Sequence, residues 1–123
     1  MKFTLIIANF GAAFTTLLGL LGLCFPAKAA NLVSICPIGL NGRSELRATY
    51  GGLFTAMGVY CFVSQTELVF SVSGVAWLGA SFGRLCSVLI DRNYDIKNIA
   101  GFAIESSIGF LLIFPKCFAH QFT

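Results

Sequence analysis

Charge is what this sequence has least of. Only 11% of its 123 residues are Asp, Glu, Lys or Arg, where a soluble domain carries roughly 25%. With 57% hydrophobic residues and a mean hydropathy of +0.86, the chain cannot cover its own surface in water. A soluble reading would leave large exposed apolar patches, so lipid is the expected solvent for much of the chain. The net charge of +3 is scattered over the length and forms no basic patch, which excludes a nucleic-acid-binding surface. The five cysteines are odd in number and contain no C-x-x-C, which argues against a disulfide framework or a thioredoxin-type redox pair; they read as small apolar residues. The single histidine, His120, is a tail residue. H-E-x-x-H, G-x-S-x-G and phosphate-loop motifs are absent, and so are metal ligands at usable spacing. No cofactor is expected, and the reading leans away from an enzyme.

What is present is length in hydrophobic runs. The sequence predicts one all-α domain over 1–123, an integral membrane four-helix antiparallel bundle. The helices fall at about 3–25, 44–64, 67–90 and 97–118, with a long loop over 26–43. Residues 3–25 form 23 positions without a charge, more than the ~20 needed to cross the hydrocarbon. The run imitates a secretory signal, but a signal's apolar region is about 7–15 residues long. Leu23 stands before Cys24 where a lipoprotein site would want a small residue, so the segment reads as a retained first helix. Pro26, Pro37 and several glycines break regular structure across 26–43, whose apolar middle suits the membrane interface. The very short turn after helix two makes helices two and three antiparallel neighbours. Helices three and four each contain a charge, Arg84 and Glu105. One central charge costs about +3 kcal/mol, against roughly −5 and −4.5 kcal/mol summed over the large apolar residues of the two helices. Both therefore insert. The distribution of Lys and Arg in the loops favours both termini outside and the two longer loops in the cytoplasm.

The charges inside the helices carry the most information. Arg84 lies seven residues before Asp91, and Glu105 seven residues after Asn98, each about 10 Å deep at 1.5 Å per residue. An Arg and a Glu level with one another in lipid are expected to face inward and pair. Arg43 and Arg47 share a face at the start of helix two, which continues through Gly51, Thr55 and Gly58. Helix three offers Gly79 and Gly83, and helix four Gly101 and Gly109, as small residues that let a neighbour approach. The expected constellation is a polar cluster of Arg47, Arg84 and Glu105, with Glu45, Asn41, Tyr50 and Arg43 as neighbours, opening toward the loop side. The plainer alternative is a clamp that fixes helix register and does no chemistry; the other is a site for a ligand or ion. Asn9 is expected to make an interhelical hydrogen bond, and Trp77 to pack.

The segment Asn41-Gly42-Arg43-Ser44-Glu45-Leu46-Arg47-Ala48-Thr49-Tyr50-Gly51-Gly52 resembles the N-x-x-x-E-x-R-A-x-Y-G-G-like entry to helix two in a family of four-helix bacterial membrane proteins. That family is the one grouped as domain of unknown function 4345. Its G-R pair in helix three and its Glu in helix four fall on Gly83-Arg84 and Glu105. The resemblance spans nearly the whole chain; a likeness to DoxX-like four-helix proteins is more distant. It implies a fold and a bacterial inner-membrane location, and it implies that Arg47, Arg84 and Glu105 belong together. It brings no reaction. Three roles stay open: an accessory protein with a membrane-protein partner or a second copy beside it in the bilayer; a binder or carrier of a small anionic or quinone-like amphiphile between helices two, three and four; and, by distant analogy alone, a redox subunit.

Overall fold

The computed structural model describes residues 2–118 and 121; His120 lies outside them. The described residues are mostly helical and contain no strand. Helix α1 spans Lys2–Cys24, α2 Pro26–Leu32, α3 Gly39–Glu45, α4 Phe54–Ser64, α5 Glu67–Ile90 and α6 Ile96–Phe118, with a π-helical segment, Leu46–Leu53, joining α3 to α4. Glu45, Leu53 and Phe54 all keep right-handed helical dihedrals, so α3, the π segment and α4 run on without a break. Three helices, Phe3–Cys24, Glu67–Ile90 and Ile96–Phe118, are long and apolar enough to cross a membrane.

The connection over 26–43 departs from the expected loop. Pro26 does not break structure there; it occupies the first turn of α2, where its missing N–H costs nothing and its fixed φ suits a helix start. The second helix also begins earlier than expected. Ile38 is extended and Gly39 takes φ +63°, a left-handed conformation open to glycine, and the helix starts at that turn. The α4–α5 turn matches its sequence. Gln65 caps α4 in the left-handed conformation with its N–H on the Cys61 carbonyl at 3.0 Å. Thr66 then opens α5, its hydroxyl accepting from Val69 N at 3.4 Å.

Large side chains face out and small ones face in. Along α1, Ile6, Phe10, Phe14 and Leu17 are exposed, while Thr4, Ala8, Ala12 and Thr15 are buried. The interior gathers Phe70, Trp77, Ile108 and Leu112 around those small residues. Helix α1 lies between the π segment and α4 on one side and α6 on the other, and α5 packs along α6. Backbones meet closely along the α1 interface: a Cβ on Gly51 would lie 2.7 Å from Leu23 N, and Gly22 rests on the Tyr50 carbonyl.

Helices α4 and α5, although joined by the short turn, touch only sparsely. The glycine face of the second helix is seated on α1 instead, so α4 and α5 meet through a few side chains rather than along their length. Near the turn, Cys61 Sγ and Ser73 Oγ meet at 3.3 Å. Of the five free cysteines only Cys61 is buried; Cys24, Cys36 and Cys117 are exposed, so burial accounts for one thiol and not the set. Asn9 and Gln65 form a reciprocal amide pair at 3.0 and 2.8 Å, linking the start of α1 to the end of α4.

Candidate functional site at Arg84

On α5, Phe70, Gly74, Trp77, Ser81 and Arg84 recur every three or four residues along one inward face. On α6, Asn98, Gly101, Glu105, Ile108 and Leu112 do the same. The antiparallel hairpin sets the two faces against each other. Arg84 Nε lies 2.9 Å from Glu105 Oε2, with the two side chains 24% and 14% exposed. Among the described residues this is the one ion pair. Arg84 Nη1 also reaches Asn98 Oδ1 at 3.4 Å. Asn98, itself buried, donates from Nδ2 to the Asn93 carbonyl at 3.1 Å, which ties the pair to the loop. The guanidinium lies against Gly101, where an added Cβ would be 2.5 Å from Arg84 Cζ. Its other N–H groups have no hydrogen-bond partner among the described residues.

Arg84 lines two cavities. An outer groove of about 580 Å³ opens on the loop side and is lined by Ser34, Arg84, Asn93, Asp95, Lys97 and Asn98 among others. An inner chamber of about 350 Å³ runs from Arg84 and Glu105 between α1, the π segment, α5 and α6. Its apolar walls include Leu18, Phe54, Trp77 and Ile104, and α2 closes its loop-side end through Ala29 and Leu32. Arg84, Lys97, Leu32 and Val33 belong to both spaces. The walls are fixed by their own contacts. Trp77 Nε1 donates to Thr15 Oγ1 at 2.9 Å, and the Phe54 ring lies 4.9 Å from Trp77 and 5.9 Å from Tyr50. Lys97 Nζ donates to the Asn31 carbonyl at 3.0 Å.

Arg84 and Glu105 thus come together, and Tyr50 joins them as a chamber wall with Thr49. The rest of the expected cluster does not. Arg47 donates through Nη1 to the Leu23 carbonyl at the end of α1. Its face of the helix, with Gly51 and Gly58, packs on α1 and not on α5 and α6, and a basic group at a helix C-terminus satisfies an orphan carbonyl. Glu45 accepts from Thr49 Oγ1 at 2.9 Å and is exposed, as are Asn41 and Arg43. Gly79 and Gly83 are also misplaced by the sequence reading: nothing lies within 4 Å of either position's added Cβ. They occupy the side of α5 opposite Trp77 and Arg84. Lys97, Asn98 and Trp77 were missed as site residues. The spacing 98, 101, 105 on α6 and 77, 81, 84 on α5, at three and four residues, would have found the last two.

The described residues contain no group of three or more His, Cys, Asp or Glu side chains able to hold a metal. Chemically the site offers an open guanidinium edge, an ammonium and hydroxyls at one end of an apolar space. In comparisons with known proteins, the family model described as domain of unknown function (DUF4345) matches residues 3–115. No curated protein and no solved structure matches.

Proposed function

The chain belongs to the family described as domain of unknown function (DUF4345), and from that premise we propose that it is an integral membrane protein with four membrane-crossing helices that binds a small amphiphile beside Arg84 without transforming it. The membrane reading is supported by the inside-out distribution of side chains: Phe10 and Leu17 are 60% and 62% exposed while Thr4 and Thr15 are buried, as packing in lipid favours. The unbroken run Gly39–Ser64 is the proposed fourth crossing. The bacterial cytoplasmic membrane is the proposed location, with both termini outside and the loops at 26–38 and 91–95 in the cytoplasm.

One observation carries the binding reading: the outer groove, of mixed polar and apolar lining, and the apolar inner chamber share Arg84. Ligand sites are largely apolar spaces of about 300–1,000 Å³ with a few converging polar groups. An intramembrane ionisable residue in such a place is a functional candidate by default. Native mass spectrometry of the protein released gently from its own membrane tests it. A small amphiphile retained by the wild type and lost on filling the chamber with Ala80→Trp is expected; an empty wild type under conditions that keep the fold would overturn the reading.

A second reading, an accessory subunit, is favoured by the outward face of α5, where Gly79 and Gly83 leave room for the backbone of another membrane helix.

A further inference from the structure

We infer that the occupant of the chamber is a single-chain carboxylate of about a dozen non-hydrogen atoms, its headgroup held between Arg84 and Lys97 and its chain lying between Trp77, Phe54 and Ile104. The inference rests on the amphiphile-binding reading and adds the ligand's charge, headgroup and size.

Charge sets the headgroup. Three ionised side chains line the inner chamber: Arg84, Lys97 and Glu105. Glu105 is committed to Arg84 Nε at 2.9 Å. Lys97 reaches only a backbone carbonyl, that of Asn31 at 3.0 Å, and pairs with no carboxylate. The chamber therefore holds one positive charge in excess, and a monoanion neutralises it. A dianionic phosphate would bring a surplus negative charge to a place Glu105 already occupies, and a neutral headgroup would leave the ammonium uncompensated. Asp95, on the rim of the outer groove, does not fill this role. Its Oδ1 accepts from the Lys97 backbone N–H at 2.8 Å, and among the described residues it forms no ion pair with the ammonium.

Geometry sets the acceptor. Nε is occupied and Nη1 is lightly held by Asn98 at 3.4 Å, so the free edge of the guanidinium is its Nη side. A carboxylate or a phosphate matches that fork with two parallel hydrogen bonds, and the single excess charge favours the carboxylate. Tyr50 and Thr49 line the same chamber. Volume sets the chain. At about 30 Å³ per water-sized group, the 350 Å³ chamber takes about a dozen heavy atoms, the size of decanoate.

Trp77 is the single tryptophan of the chain and lines the chamber, so it reports on the occupant. Purified protein in neutral lipid nanodiscs would be titrated with chain-brominated decanoate, decanol and decyl phosphate, reading bromine quenching of Trp77 fluorescence. Bulk lipid partition contributes quenching that is linear in concentration; site binding adds a saturable part. Saturable quenching by the carboxylate, at least tenfold weaker for the alcohol and the phosphate, is expected. Lys97→Gln should weaken carboxylate binding at least tenfold, and Arg43→Gln, whose side chain is exposed and remote from the chamber, should leave it unchanged. Equal saturable quenching by the alcohol, or tighter binding of the phosphate, overturns the carboxylate assignment and leaves the amphiphile reading intact. Absence of a saturable part for all three ligands overturns both. The ligand series uses the wild type alone, so it decides the matter even if a variant fails to fold.

Discussion

A Cβ on Gly101 would lie 2.5 Å from the guanidinium carbon of Arg84: the arginine of α5 rests on bare backbone of α6, one turn from the Glu105 it pairs with. The atoms in the way are the far end of a flexible side chain, so the fold can yield to a methyl group there only by moving the guanidinium. Gly101→Ala is therefore expected to keep the unfolding midpoint nearly constant, because alanine's helix preference of about 1 kcal/mol over glycine offsets the disturbed ion pair, while ligand binding falls. Gly22→Ala meets the Tyr50 carbonyl, which is backbone and cannot swing away. Overpacking of that kind costs about 1–3 kcal/mol. Thermal unfolding in detergent separates the two, and a Gly22→Ala protein as stable as the wild type would contradict the close α1 packing.

The Arg84–Glu105 pair is half sheltered, so breaking it should cost more than removing it. Arg84→Gln or Glu105→Gln alone leaves one charge without its partner, at about 1–3 kcal/mol. The double replacement should lose less than the sum of the two. A cycle of single and double variants, read by denaturant unfolding, checks this; strictly additive losses would mean the two side chains do not interact.

At the other end of the molecule, Asn9 and Gln65 exchange two hydrogen bonds. Interhelical polar contacts in membrane proteins couple by about 0.6 kcal/mol and at most about 1.7. The pair, with its two bonds, should fall in the upper half of that range in a cycle of Asn9→Leu and Gln65→Leu. Coupling of zero would place the two amides apart.

Much of this fold was legible in the sequence because lipid imposes simple rules. One charge-free run and two long apolar runs, each outweighing its single central charge, gave helices α1, α5 and α6 to within a residue or two. Equal depth from the loop at Asp91 pointed to Arg84 and Glu105, which the structure joins. The failures are of two kinds. Distance along the sequence says nothing about which face meets which helix, so Arg47 was assigned to the cluster when its face seats on α1. The same ambiguity let Gly79 and Gly83 pass for an interface, although Trp77, Ser81 and Arg84 claim the opposite side of α5. Proline and glycine were also over-read as breakers: Pro26 and Gly39 begin helices. The π segment at Leu46–Leu53 had no periodic signal, yet it coincides with the motif that carried the family resemblance and presents Thr49 and Tyr50 to the chamber. Such segments recur at functional sites.

Sidedness can be read from thiols already in the chain. Cys36 lies in the connection between α2 and α3, and Cys117 near the far end of α6; both are exposed. With the termini outside, a membrane-impermeant maleimide should label Cys117 on intact spheroplasts and reach Cys36 only after permeabilisation, using variants that keep one of these thiols. The reverse pattern would invert the orientation without changing the fold.

The most direct test of the account is a density map of the protein in lipid nanodiscs. An elongated feature that begins at the Arg84 guanidinium and runs between Trp77 and Tyr50 is the predicted result. Side chains closing that space to solid packing, with Arg84 turned away from it, would contradict the claim that this bundle is built around a bound amphiphile.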